Sequence, residues 1–230
     1  MTDVNTADAE VLPCDMQPVD ISGSLPRHTK KKYATRSVSD IKRIVVHTTD
    51  WDCTAEELAA YDIGPNHISS TGCPAITYHG LIMPNSEWHK TLPYEEVAWH
   101  VGPWNTGSVG LALVFRVSDG FGADYYAPKE KQIKSLMRAC GSLCLKLGVE
   151  PTNIVGHREL KHTGWFWFKG SRKLRKTCPG LRVDMDEVRS RVIKYVQLCL
   201  LMHRYYNNSI DGLWGPISKA AFQSYLAERE

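Results

Sequence analysis

The sequence predicts an α/β fold, a central β-sheet flanked by helices, with a small helical unit at its C-terminal end. Short β-branched runs alternate with stretches of three- and four-residue apolar spacing, the pattern of strands and amphipathic helices packed in layers. The chain has 230 residues, 43% apolar and 23% charged, enough to bury a substantial core. After Pro179-Gly180 the strand-like runs stop and helical patterning takes over.

Residues 1–26 are polar and punctuated by proline, and are expected to form an irregular, loosely attached arm. IKRIVVH (41–47) reads as a buried strand ending in histidine. Thr54-x-x-Glu57 has the spacing of a capping box and opens a helix through Leu58 and Tyr61. AITYHGLI (75–82) and GLALVFRV (110–117) are further strand candidates. From Pro128 to Leu147, Ile133, Leu136, Met137, Cys140, Leu143, Cys144 and Leu147 form one face of a helix that Gly148 should stop. TNIVGH (152–157) is another short strand ending in histidine. Val188, Val192, Val196 and Cys199 mark a later helical face, and the turn-rich NNSIDGLWGP precedes a last short helix, SKAAFQSYL. That face suits either a separate module or a helix packed onto the sheet.

Several classes are excluded by composition. No run approaches the roughly 18 to 20 apolar residues of a membrane span, so no membrane-spanning segment is expected. A net charge of +3 does not argue for a nucleic-acid partner. The first residues carry acids and no apolar core segment, so no secretory signal is expected. The seven cysteines include no C-x-x-C pair and are expected to be reduced, with Cys140 and Cys144 as small core residues.

His47 and His157 each end a core strand, and strand ends are where open α/β sheets gather their sites. Cys178 follows His157 by 178 − 157 = 21 residues. Two imidazoles and a thiolate are a ligand set that leaves zinc an open position for water. With nine histidines and seven cysteines in the chain, spacing alone does not separate such a site from core and surface residues.

The motifs around these residues narrow the reading. HTTDW, TYHGLI, VAWHVGPWNTGSVGLALVF, IVGHREL and KTCPG occur in this order. Over roughly 40 to 183 the chain resembles the zinc-dependent N-acetylmuramoyl-L-alanine amidases of the type 2 family, T7 lysozyme and the peptidoglycan recognition proteins among them. The resemblance implies a mixed central β-sheet flanked by helices and a Zn2+ ion bound by His47, His157 and Cys178. It implies that Tyr78 and Lys176 act around the reacting carbonyl, and that His100 and Asn105 line the substrate groove. Two departures stand out. Ala112 occupies a position where many members carry glutamate. The segment between His157 and Cys178 is long, and its stretch KHTGWFWFKGSRKLRKTC (161–178) has six Lys/Arg, no Asp or Glu, and four consecutive aromatics.

The C-terminal stretch resembles part of a three-helix peptidoglycan-binding module, with Asp211-Gly212 and Trp214-Gly215-Pro216 as its turn and Trp214 as a wall-binding residue. The expected organisation is an arm at 1–26, a zinc amidase domain at 27–183 and a wall-binding module at 184–230. The expected activity is hydrolysis of the bond between N-acetylmuramic acid and L-alanine in peptidoglycan by zinc-activated water. The expected setting is a monomeric phage endolysin, made in the host cytoplasm and acting on the wall after the membrane is breached. Two alternatives stand beside it, a recognition protein that binds without cutting and a cytosolic wall-recycling amidase. Members of those branches usually lack the cysteine present here as Cys178.

Overall fold

The structure, a computed structural model, describes residues 14, 16–117, 126–160 and 177–229. Its strands are β1 (Val19–Asp20), β2 (Arg43–Thr48), β3 (Gly80–Ile82), β4 (Trp88–Lys90), β5 (Ser108–Leu113) and β6 (Ile154–Gly156). Its α-helices are α1 (Ala55–Ile63), α2 (Glu130–Leu147), α3 (Met185–Met202) and α4 (Pro216–Ala227). The strands form one mixed sheet in the order β1-β4-β3-β5-β2-β6, in which only β3 and β4 run antiparallel.

β2 lies inside the sheet, between β5 and the edge strand β6, and is covered on both faces, which is why IVV is continuously apolar. Ile44 and Val46 point into the larger core with Leu111 and Leu113 of β5, Leu136, Cys140, Leu143 and Cys144 of α2, and Val188, Val192 and Val196 of α3. Leu81 and Ala112 face the opposite core, against Leu58 and Ala59 of α1. His47, two residues on from Val45, belongs to this second face by the alternation of side chains along a strand.

Local signals explain the helix limits. At α1 the Thr54 Oγ1 accepts from Glu57 N at 3.1 Å and the Glu57 carboxylate accepts from Thr54 N at 2.8 Å. Gly148 ends α2 in the left-handed region, with φ 69°. The apolar face of α3 lies against α2 in the main core, which is the integrated of the two arrangements the sequence allowed. Phe222 and Ala221 of α4 are buried in the same cluster. The Asp211-Gly212 turn wraps onto Gln197 of α3, whose Oε1 accepts from Gly212 N at 3.0 Å. Gly212 has φ 78°, and a Cβ there would lie 2.8 Å from Ser190 Oγ. Among the described residues no helix is long and apolar enough to cross a membrane.

Two expectations are corrected. Part of the supposed arm joins the sheet: Val19 and Asp20 pair in parallel with His89 and Lys90, and Leu25 is buried. Residues 1–13 and 15 lie outside the described residues. Only the end of AITYHGLI is strand, because side chains satisfy much of the backbone before it. Tyr33 Oη donates to Ala75 O at 2.9 Å, and Thr77 N donates to the Asp62 carboxylate at 2.8 Å.

Gly141 lets α2 approach α3. A Cβ at this position would lie 2.3 Å from Tyr195 Cδ1, and Tyr195 is itself buried. Gly141→Ala gains about 1 kcal/mol of helix propensity but overpacks a rigid ring at a cost of about 1–3 kcal/mol. The expected outcome is a lower thermal midpoint; an unchanged or raised midpoint contradicts this packing.

Candidate metal centre

β2 and β6 are parallel neighbours with Val46 opposite Gly156. The next residue on each is a histidine, His47 and His157, and their ring centroids lie 4.7 Å apart. That is the spacing of adjacent strands, so backbone pairing alone brings the two imidazoles together. Cys178 supplies a third donor, with its Sγ 3.7 Å from His47 Nδ1. The ligand atoms of His47, His157 and Cys178 all lie within 4.8 Å of one another, the one such group of three among the described residues.

This donor set fits zinc. A tetrahedral ion with ordinary Zn–S and Zn–N bonds has a sulfur–nitrogen edge of about 3.6 Å, close to the separation of Cys178 and His47. Three protein ligands leave a fourth position open. His47 is buried while His157 and Cys178 are partly exposed, so the cluster has a solvent-facing side.

The residues around His157 hold the third ligand in place. Gly156 N donates to the Glu159 carboxylate at 2.7 Å, and Glu159 is also paired with Arg189 of α3 at 2.9 Å. Arg158 N donates to Cys178 O at 2.8 Å. The Arg158 guanidinium donates to Gly180 O at 2.6 Å and Val183 O at 2.7 Å. The Gly-His-Arg-Glu run thus supplies one ligand and fastens the loop that carries another.

Behind the ligands lies a layer of buried polar groups. His100 is 8% exposed, and its Nδ1 lies 3.0 Å from His47 Nε2. Burial, with the neighbouring His79 and His157, holds the His100 pKa well below the usual histidine value, so the ring is neutral. The Asn105 Oδ1 accepts from His100 N at 3.1 Å and from Val101 N at 2.7 Å, closing the turn that presents His100. Arg36, also buried, donates to the carbonyls of Tyr94, Asn105, Thr106 and Ser108. Burial and the Arg36 charge push the His79 pKa down to about 3.

With this geometry in view, comparison with known proteins is informative. The model of the N-acetylmuramoyl-L-alanine amidase family (Amidase_2) matches residues 37–181. The chain belongs to this family. No curated protein matches the sequence. Among solved structures, N-acetylmuramoyl-L-alanine amidase LysC from Clostridium intestinale superposes with a TM-score of 0.55 at 17% identity, covering 77% of this chain and 97% of that one. Drosophila peptidoglycan recognition protein SD gives 0.52 at 16% identity, covering 68% and 83%. Peptidoglycan recognition protein LE, in complex with tracheal cytotoxin, gives 0.53 at 13% identity, covering 75% and 92%. At these identities the likeness is one of fold.

Within this amidase-family fold, the structure brings Tyr78 to the cluster of donor residues, with its ring centroid 5.0 Å from that of His47. Burial, reinforced by the charge of Cys178, pushes the Tyr78 pKa well above the ordinary value, so the hydroxyl stays protonated. Tyr78 also lines a groove of about 360 Å³ together with Thr49, Trp51, Tyr61, Asp62 and His67. Ala112 sits directly opposite His47 in the β2–β5 ladder, so the neighbouring side chain there is a methyl group and no carboxylate. Lys176 and the rest of 161–176 lie outside the described residues.

Three residues expected to bind substrate have structural contacts instead of open exposure. His100 is behind His47, and Asn105 is occupied by the turn. Trp214 is half-buried, edge-on to Phe222 at 5.5 Å, with its indole N–H donating to Glu150 at 3.1 Å. Arg36 and Arg158 were not singled out from the sequence. Arg158 had a usable signal, its place inside GHRE; Arg36 lies outside every motif, and only burial reveals its role.

Asp62 gives the groove a pH-dependent wall. Burial raises its pKa from 3.8 to about 6, opposed by the hydrogen bonds from Thr77. The folded protein therefore holds this proton more tightly than the unfolded chain, and Asp62's contribution to stability falls as pH rises from about 4 to about 6. Measured by urea unfolding, the stability of the parent relative to Asp62→Asn should decline across that window and level off above it. A difference that does not vary with pH contradicts this.

Proposed function

We propose that this chain is a zinc-dependent amidase that hydrolyses the bond between N-acetylmuramic acid and L-alanine in peptidoglycan. The observation that carries this is the meeting of His47, His157 and Cys178 beside a groove whose lining includes Tyr78. The family assignment and the fold shared with LysC support it. So does recognition protein LE, a similar fold in complex with monomeric diaminopimelic acid-type peptidoglycan.

Zinc at these ligands supplies Lewis acidity and a nucleophilic water near neutral pH. The protein's own part is to orient the amide and stabilise charge on its oxygen. Tyr78, protonated and held beside His47, donates a hydrogen bond to the carbonyl oxygen as negative charge develops. Lys176 is the second, cationic group proposed for that oxygen. The methyl of Ala112 leaves the strand face beside His47 without a carboxylate base.

The proposed setting is an endolysin, made in the cytoplasm and acting on the wall as a monomer after the membrane is breached. In this reading residues 184–230 add wall binding through the turn after Ile210 and the first turn of α4, where Leu213 is 69% and Ile217 54% exposed. That segment is also part of the main core through α3.

Digestion of purified sacculi tests the activity. It should release new L-alanine amino termini and no new reducing sugar ends; the reverse pattern would mean a glycosidase. Tyr78→Phe should lower kcat on the order of 10²–10³-fold with bound zinc unchanged. Full turnover in that variant removes Tyr78 from the chemistry.

A further inference from the structure

His47 uses both ring nitrogens. Its Nδ1 faces Cys178, and its Nε2 lies 3.0 Å from His100 Nδ1. The other nitrogen of His100 lies 3.3 Å from Ser108 Oγ, and the Ser108 hydroxyl donates to Trp104 O at 2.7 Å.

A backbone carbonyl can only accept, and this sets the direction of every proton before it. The Ser108 hydrogen points at Trp104, so toward His100 the Ser108 oxygen is an acceptor. His100 therefore carries its proton on Nε2 and offers a lone pair at Nδ1. That lone pair accepts from His47 Nε2–H. His47 Nδ1 is left unprotonated on the side of Cys178 and His157.

We propose that His100, anchored by Ser108, is a positioning residue that holds His47 in the Nε2–H tautomer, so that Nδ1 is ready to ligate before a metal arrives. The inference rests on the metal-centre reading above and deepens it. It also accounts for features that the chemistry does not otherwise require. Ser108, Gly110 and Ala112 lie on one face of β5, and each leaves room for an imidazole or anchors one. A Cβ on Gly110 would lie 2.8 Å from His100 Nδ1, so only glycine admits the ring. Ala112 is opposite His47 in the ladder. Ser108 is fully buried, so water does not compete for the His100 proton.

Two measurements on the full chain test the proposal. In metal-free protein labelled with ¹⁵N-histidine, long-range ¹H–¹⁵N correlation reads the His47 tautomer directly; Nε2 should be protonated and Nδ1 not. Zinc affinity, read by chelator competition, should fall about 10–100-fold in His100→Phe, as is typical when a ligand's hydrogen-bond partner is removed. His100→Gln keeps an acceptor for His47 and should recover part of that loss. Ser108→Ala, a small change that preserves the ring, should weaken zinc and mix the His47 tautomers. A His47 protonated on Nδ1 in the metal-free parent overturns the inference. So does parental zinc affinity in both His100→Phe and Ser108→Ala, which leaves the metal centre standing. A parent protein that binds no zinc removes the metal centre and this inference together.

Discussion

The parallel pairing of β2 with β6 is the constraint on which the rest of the site depends. Its register sets Val46 against Gly156 and so delivers His47 and His157 side by side at the ends of adjacent strands. No flexible side chain has to search for its partner, because main-chain hydrogen bonds decide the separation. Burial of β2 by helices on both faces makes that register hard to slip, since a one-residue shift would turn Ile44 and Val46 out of the core and His47 into it. The fold is a frame for two imidazoles, and the third donor is added by a loop.

That addition links distant parts of the chain. Arg158 ties the carbonyls around Cys178 to the turn after β6, and Glu159 ties the same turn to Arg189 on α3. The ligand cluster is thus braced from the helix layer as well as from the sheet. On the other side, β5 keeps its facing side chains small, which admits the imidazoles of His100 and His47. The same economy of space leaves a methyl group, not a carboxylate, opposite His47, while Tyr78 and His100 lie beside its ring.

Much of this was legible in the sequence where a residue's role is local. The Thr54–Glu57 capping box, the α2 face with its Gly148 stop, and the buried β2 run each follow from spacing and chemistry within one turn or one strand. The residues that meet as His47, His157 and Cys178 all lie in the ordered motifs, each in a short run whose neighbours have their own backbone contacts. What was not legible depends on partners far along the chain. β1 and β4 are two and three residues long, below the length at which alternation can be read. Residues 75–77 carry strand-like composition, but the side chains of Tyr33 and Asp62 bond to their backbone. The apolar face of α3 was visible, but its partner, α2, was not. His100 was read as lining the groove from the family resemblance of its stretch; that Ser108 and Gly110, a few residues on in the same motif, fold back against its ring is visible only once β5 is in the sheet.

The central claim is that the register-paired histidines and Cys178 form one zinc centre with an open position. X-ray absorption at the zinc edge of the purified protein tests it most directly. The account predicts one sulfur at about 2.3 Å and two imidazole nitrogens at about 2.0–2.1 Å, completed by a light oxygen ligand. A first shell without sulfur, or one with two or more sulfurs, would contradict it.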